Sequence, residues 1–469
     1  MVPVSVGVYT LGCKLNQLES EGAARAFGGA GFQVFPYKPC CAPGEKAPDI
    51  LLINTCTVTS KAEQKARRVI RKALIDYPQA LLVVTGCYAQ LDPKALSSLS
   101  GPESGGKRLF VLAGEKKDAL LRLPALIAQS RAPAPSLSRA LSQWLEALSE
   151  QENQGAGGRF ALQPADFSFH ARGFLKIQDG CDNRCAYCRV ALARGPSASF
   201  PAPRALAALR ALEARGYAEV VLTGVNICQY RDGSRDLAGL LTYLLDGTSA
   251  AALRLSSLEP DGMGPALFEA LSHPRIRPHF HLSVQSGSPL ILPRMGRRYT
   301  PEDLERIAGR LRSAKEDPFL SCDIIAGFPG ETDEAFDATF ELCRSLDFAG
   351  IHCFPYSRRP GTAAWGLGRR GAVPERDARR RVRRLLALGN ANKQRYITRW
   401  IGKSLEGVVE APGEPAGPSM LVVSDNYLKL GIALTTGDAP QKGAAVRCRI
   451  TGLPEQEGAG FDAAGRIIL

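Results

Sequence analysis

At 469 residues the chain is long for one domain and predicts two or three, and its 45% hydrophobic content is enough to bury sizeable cores. No uninterrupted apolar run reaches about 18 residues and the N-terminus lacks a basic stretch before its apolar segment, which argues against a membrane span or a secretory signal and for the cytoplasm. A net charge of +13 points to a polyanionic partner, and thirteen cysteines in that compartment point to metal or redox chemistry rather than disulfides.

The first 115 residues repeat one pattern. Val4–Thr10, Asp49–Asn54 and Ala80–Thr85 read as short apolar strands of a buried parallel sheet. Helical segments follow at 18–30, 60–76 and, more weakly, 93–99, and a fourth strand is expected over 108–112. This is a small parallel α/β domain, expected over residues 1–123. Each of the three strands runs into a cysteine: Cys13, Cys56 and Cys87. Ligand sites of open α/β sheets lie beyond the carboxyl ends of the strands, so the three sulfurs are expected to share one edge. With no histidine in this domain, a three-cysteine cluster site is the expectation. The adjacent Cys40 and Cys41 do not share the placement.

Residues 124–168 are rich in Ala, Ser, Pro and Gln, with breaker clusters at 131–136 and 155–158, and read as a linker holding one helix around Trp144. There follows Cys181-Asp-Asn-Arg-Cys185-Ala-Tyr-Cys188, three thiols within eight residues. A structural zinc needs a fourth ligand, and the nearest histidine, His170, lies eleven residues before Cys181. A [4Fe-4S] cluster held by three cysteines instead leaves one iron free; zinc and simple burial are the competing readings.

The C-x3-C-x2-C loop, with an aromatic before its third cysteine, resembles the signature of the radical S-adenosylmethionine (SAM) enzymes. Thr10-Leu-Gly-Cys-Lys-Leu-Asn-Gln17, Asn54-Thr-Cys-Thr-Val-Thr59 and Thr85-Gly-Cys-Tyr-Ala-Gln90, occurring ahead of that loop, extend the likeness to the radical-SAM methylthiotransferases over most of the chain. The resemblance implies two [4Fe-4S] clusters, one on Cys181, Cys185 and Cys188 that meets SAM and an auxiliary one on Cys13, Cys56 and Cys87. It implies no catalytic residues beyond these ligands.

From Phe174 a second series of strands begins at 174–178, 219–223, 252–256, 279–284, 319–325 and 350–354, alternating with longer helices. Six such units predict a partial (β/α)6 barrel over 169–396, the fold that the radical-SAM resemblance also implies. Polar motifs sit after the strand ends. Gly224 and Gly327 permit close backbone approach, Glu259 can accept from a ribose hydroxyl, and Asn226 and Ser286 can pair with amino and carboxylate groups. By resemblance these form the SAM site, with the Tyr187 backbone at the adenine. His279, His281 and His352 read as core or surface residues rather than as a metal triad, and Cys228, Cys322, Cys343, Cys353 and Cys448 as small buried residues.

Between Arg369 and Lys403 stand twelve Lys and Arg against two acids, Glu375 and Asp377, most of the chain's excess charge. Pro374 is expected to open a helix there, with Arg380, Arg383 and Arg384 on a face suited to phosphates. Short strands at 404–410, 420–424, 427–430 and 445–450 then predict a small C-terminal β-barrel over 397–460, which resembles the TRAM RNA-binding module of these methylthiotransferases.

The resemblance implies methylthiolation of carbon 2 of N(6)-threonylcarbamoyladenosine at tRNA position 37, with tRNA as partner and an electron donor such as flavodoxin or ferredoxin; the sulfur source stays open. Isopentenyl-adenosine in tRNA and an aspartate of a ribosomal protein are the alternative substrates within the family. A non-catalytic RNA-binding metalloprotein is the alternative of another class. Two departures from the family pattern bear on substrate preference: Arg189-Val-Ala-Leu after the third loop cysteine, and Cys228 where glycine is more common.

Overall fold

The computed structural model describes residues 4–39, 47–100, 108–130, 134–150, 158–367, 371–412, 420–433, 440–454 and 459–468. The breaker clusters lie partly, and Cys40, Cys41 and Arg369 wholly, outside the described residues. The chain forms two compact units, Met1–Phe169 with Asp179–Asn183 and Cys188–Ala198, and His170–Gln178 with Arg184–Tyr187 and Ser199–Leu469. No helix among the described residues is long and apolar enough to cross a membrane.

In the first unit β1 (Ser5–Thr10), β2 (Gln33–Pro36), β3 (Ile50–Thr55), β4 (Leu81–Gly86) and β5 (Leu109–Val111) form one parallel sheet in the order β2-β1-β3-β4-β5. The interior strands β3 and β4 are buried along their whole length, as unbroken apolar runs demand. Helix α1 (Lys14–Gly29) covers one face through Ala23, Ala24 and Phe27, and α2 (Ser60–Asp76) the other through Ala66, Val69, Ile70 and Ala73. Helix α1 begins four residues before the expected Leu18, because the chain turns directly from Cys13 into helix. The third segment is two short helices, α3 (Cys87–Leu91) and α4 (Pro93–Ser97).

The stretch read as a linker packs on this sheet. It holds α5 (Leu123–Ser130) and α6 (Ala134–Glu150), and Leu141, Leu148 and Leu162 are buried in the same core as α1. Leu137, Leu141, Trp144, Leu145 and Leu148 recur at helical spacing, so α6 carries an apolar stripe that must be covered. The flanking Pro, Gly and Ser content masked that stripe.

In the second unit six parallel strands alternate with helices. β6 (Gly173–Lys176), β7 (Glu219–Thr223) and β8 (Ala252–Leu255) form one three-stranded sheet in the order β8-β7-β6. β9 (His279–Gln285), β10 (Phe319–Ala326) and β11 (Gly350–Pro355) form another, in chain order. Isolated parallel bridges, Leu253 to Ile276 and Leu258 to Leu282, link the β8 region to the β9 region. The connecting helices are α7 (Ala202–Ala214), α8 (Leu237–Asp246), α9 (Pro265–Ser272), α10 (Pro301–Ala314), α11 (Asp333–Ser345) and α12 (Glu375–Trp400). Helix α10 opens on a capping box, Thr300 with Asp303.

The unit ends in a closed five-stranded barrel of β12 (Ser404–Pro412), β13 (Met420–Ser424), β14 (Lys429–Ile432), β15 (Ala445–Gly452) and β16 (Ala463–Ile467), ordered β12-β13-β14-β16-β15. The last strand lies beyond the expected end at 460; Ala463-Ala-Gly-Arg lacks the alternation that marks a strand, and pairing with β14 and β15 creates it. Tyr396, Ile397 and Trp400 of α12 pack into this barrel's core.

Candidate active site

The three expected auxiliary cysteines sit where parallel strands end. Cys13 is the residue before α1, Cys56 follows β3 directly, and Cys87 opens α3 straight from β4. Gly12 has φ +110°, and a Cβ there would meet Cys56 Sγ at 2.8 Å, so glycine is needed to bring the first strand end against the second cysteine. The motif residues around the cysteines hold these ends together. Asn16 donates to the carbonyls of Leu11 and Thr55 at 2.7 and 3.1 Å, Asn54 donates to the Asn16 carbonyl at 3.0 Å, and the Thr55 hydroxyl donates to the Thr85 carbonyl at 2.6 Å.

Burial, reinforced by the charge of Cys13, pushes the Cys56 thiol up to about 12. Cys13 is exposed, yet surrounding protein still raises its thiol, with Arg194 working the other way. Such thiols become good ligands only when a cation takes the proton's place. Arg194 is that site's permanent positive charge. Its guanidinium is buried and hydrogen-bonds Glu19 at 3.0 Å, Asp179 at 2.9 Å and the Asn16 side chain at 2.8 Å. Burial opposes its charge, but Asp179, Cys87 and Glu19 hold its pKa well above the ordinary value. Glu19 is also paired with Lys117.

Of the loop cysteines, Cys181 and Cys188 fall in the first unit and Cys185 in the second. The Cys181 N–H donates to the Gly195 carbonyl at 3.1 Å, and Cys188 Sγ accepts from the Val190 N–H at 3.4 Å. Arg189 is buried and bridges Glu63 and Asp92, each at 3.2 Å, which accounts for an arginine where an apolar stretch was expected.

Around Cys185 the second unit places Tyr187, Glu259, Arg297 and Tyr299. Arg297 is paired with Glu259, donates to the Tyr187 hydroxyl at 2.6 Å, and lies over the Tyr187 and Tyr299 rings at 5.8 and 5.9 Å. Burial raises the Cys185 thiol and the Glu259 carboxyl, and Arg297 pulls both back. No sequence motif marks Arg297; its signal is visible only once Glu259 is known to be buried. The Ala186 N–H donates to the Met295 carbonyl at 2.9 Å and the Ala186 carbonyl accepts from Ala364 at 2.7 Å, so the backbone beside Tyr187 is fixed on both sides.

Asn226 follows β7. Its N–H donates to Gln178 Oε1 at 2.9 Å, while its own Oδ1 is buried with no partner among the described residues. An unpaired buried amide oxygen costs about 1–3 kcal/mol and suits a site completed by a ligand. A Cβ on Gly224 would meet Gln178 Oε1 at 2.8 Å, so this glycine serves the same close packing. Cys228 Sγ accepts from the Glu259 N–H at 3.4 Å, and a Cβ on Gly262 would come within 2.5 Å of Cys228 Cβ; the facing glycine makes room for the cysteine.

Two expected SAM contacts are otherwise engaged. Ser286 is fully buried, pairs with the Thr339 hydroxyl at 3.1 Å and accepts from the Ser288 N–H at 3.1 Å. Gly327 donates its N–H to Glu331 at 2.6 Å, and a Cβ there would collide with Ala378 Cβ at 2.6 Å. Its freedom of approach serves helix α12.

The basic helix is as expected, but its arginines differ. Arg380 is paired with Asp333 and Asp377, and Arg384 pairs with Asp337 at 3.0 Å while lying over Phe336 and Phe340. Arg383 is exposed and has no partner among the described residues.

A model of the "Radical SAM superfamily" matches residues 175–343, and one of "Uncharacterized protein family UPF0004" matches residues 5–103. A solved structure, the radical S-adenosylmethionine methyltransferase TsrM from Kitasatospora setae with cobalamin and a [4Fe-4S] cluster bound, shares the fold with a TM-score of 0.50 at 16% identity, over 77% of each chain. Fold and site together define a radical SAM protein. A "Threonylcarbamoyladenosine tRNA methylthiotransferase MtaB" from Treponema pallidum (strain Nichols) is 42% identical over 95% of this chain and 98% of that protein. One of the same name from Bacillus subtilis (strain 168) is 32% identical over 97% and 96%. The chain belongs to this MtaB family of methylthiotransferases.

Proposed function

We propose that the chain places a methylthio group on carbon 2 of N(6)-threonylcarbamoyladenosine at tRNA position 37. The observation that carries this is the presence of two separate three-cysteine sets, in a chain similar along nearly its whole length to proteins named for that reaction. Cys181, Cys185 and Cys188 would hold one [4Fe-4S] cluster and Cys13, Cys56 and Cys87 another. When bound, the clusters and SAM would supply the one-electron chemistry, a place to present sulfur and the methyl group, none of which a side chain provides.

The protein's own groups bind and orient. Tyr187, Gly224, Asn226 and Glu259 receive SAM, with Arg297 positioning Glu259 and the Tyr187 hydroxyl. The unpaired Asn226 oxygen supports this, as an acceptor for an ammonium group. Ser286 and Gly327 shape the neighbouring loops. Arg194 keeps a positive charge that favours the deprotonated form of Cys13 and Cys56. The C-terminal barrel, extended here through β16, and Arg383, with Arg380 and Arg384, take the tRNA backbone. A flavodoxin or ferredoxin in the cytoplasm supplies electrons.

Mass spectrometry of tRNA nucleosides from a deletion strain tests this reading. Loss of 2-methylthio-N(6)-threonylcarbamoyladenosine, restored by the intact gene and not by a Cys185→Ala copy, is the expected result. Loss of the isopentenyl derivative instead would move the enzyme to that branch.

A further inference from the structure

We propose that His281, Asp323 and His352 form a binding site for one zinc ion, separate from the cysteine sites. The three residues stand on adjacent parallel strands β9, β10 and β11, where His281 is in register with Ser321 and Asp323 with His352. Strand alternation gives them one face. On the opposite face, Ile351 lies against Gly389 of α12, and Leu282, Cys322, Ile324 and Cys353 are buried. The histidine face is the more open one: the side chains of His281, Asp323 and His352 are 11%, 31% and 58% exposed.

The spacing fits a metal better than a hydrogen-bonded trio. One nitrogen or oxygen from each residue lies within 4.8 Å of the others. Tetrahedral zinc with ligands at about 2.0–2.1 Å needs them about 3.3 Å apart. His281 Nε2 is 3.1 Å from one carboxylate oxygen of Asp323 and His352 Nδ1 is 3.7 Å from the other, so the two imidazoles flank a single carboxylate at separations close to that value. The second of these distances is too long for a hydrogen bond. His281 is also oriented as metal-binding histidines are. Its Nδ1 faces Ser321 Oγ at 2.8 Å, and the tautomer that donates there leaves the Nε2 lone pair toward Asp323. Two imidazoles and one carboxylate suit zinc, and leave a fourth position open. The nearby Lys393 is paired with Asp462 at 2.6 Å. His279, on the same face, is not a ligand: its ring packs on Tyr427 at 4.1 Å and on Phe319 at 5.8 Å.

The test is equilibrium dialysis of the anaerobically reconstituted holoenzyme against zinc chloride, with zinc and iron both counted by mass spectrometry. The parent should retain one zinc per chain that His281→Gln and His352→Gln lose, with iron unchanged. His352 is exposed on an edge strand, so its variant keeps the test open should His281→Gln misfold. Ser321→Ala should still reach one zinc at saturation but bind it roughly 10-fold or more weakly, as expected for loss of an orienting partner. Equal zinc in the parent and the folded His352→Gln variant, or none in the parent, would overturn the proposal.

Discussion

Glu259 shows how one side chain is prepared by its neighbours. Buried beside Cys185, it stays useful as an acceptor only because Arg297 offsets the rise that burial imposes on its carboxyl. Replacing it with alanine should therefore weaken SAM binding roughly 10- to 100-fold, the worth of a hydrogen bond to a charged group, while iron content stays at the parent level. Equilibrium dialysis with labelled SAM measures this; unchanged affinity would leave Glu259 as nothing more than a partner for Arg297. At the same scale lie the residues that no motif announced. Arg194 was visible in the sequence only as part of Ala193-Arg-Gly195, because its value depends on Glu19 and Asp179, which are distant from it or unmarked in the chain. The cysteines were legible because their chemistry is fixed by residue type. The arginines were not, since an arginine is recognised by what surrounds it.

Helix α12 combines two tasks on one element. Its buried residues Tyr396, Ile397 and Trp400 seat the C-terminal barrel; of its arginines, Arg381 is buried against Glu331 and Asp333, whereas Arg380, Arg383 and Arg384 are exposed. Exposed ion pairs such as Arg384 with Asp337 are worth about 0–1 kcal/mol, so a phosphate can displace them only against that small charge competition. Arg383 faces none. Arg383→Ala should therefore weaken tRNA binding and lower its salt dependence by about one unit of log–log slope, more than Arg384→Ala does. Filter binding across a salt series decides it, and equal effects would mean that the α11 acids play no part. The helix itself was legible from Pro374 and the charge run, whereas the engagement of Arg380 and Arg384 depended on Asp333 and Asp337, some 47 residues away in the chain for each pair. The reading of 124–168 as a linker with one helix around Trp144 included α6 but not its packing, for a related reason: breaker residues dominate the composition, but the five apolar side chains of α6 decide where it packs. Strand β16 was missed because only pairing with β14 and β15 makes its Gly-Arg sequence a strand.

For the molecule as a whole, the second unit is tied together by one buried carboxylate. Glu219 is surrounded by Arg254, Arg172 and Arg277, and Arg254 also reaches the Ser424 carbonyl of the C-terminal barrel at 3.0 Å. Burial alone would raise its pKa; the arginines, Arg254 foremost, bring it down to about 2. A carboxylate depressed from about 4.3 in the unfolded chain stabilises the fold above that pH, and this contribution fades as pH falls toward 2. Glu219→Gln should cost about 3–5 kcal/mol at neutral pH, because it leaves arginines buried without their counter-charge, and should flatten the acid side of the stability profile. Urea titrations between pH 3 and 7 would show it, and an unchanged profile would remove Glu219 from the account.

Two clusters with separate tasks should be separable by substitution. Parent, Cys56→Ala and Cys185→Ala proteins are reconstituted anaerobically and given dithionite, SAM and tRNA, with 5'-deoxyadenosine and methylthio-nucleoside both quantified. The parent should carry about eight irons, two [4Fe-4S] clusters, and make both products. Cys56→Ala should carry about four, still make 5'-deoxyadenosine and make no methylthio-nucleoside, while Cys185→Ala should make neither. Methylthio-nucleoside from Cys56→Ala at the parent rate would contradict the account, for it would make the cysteines at the ends of β1, β3 and β4 structural.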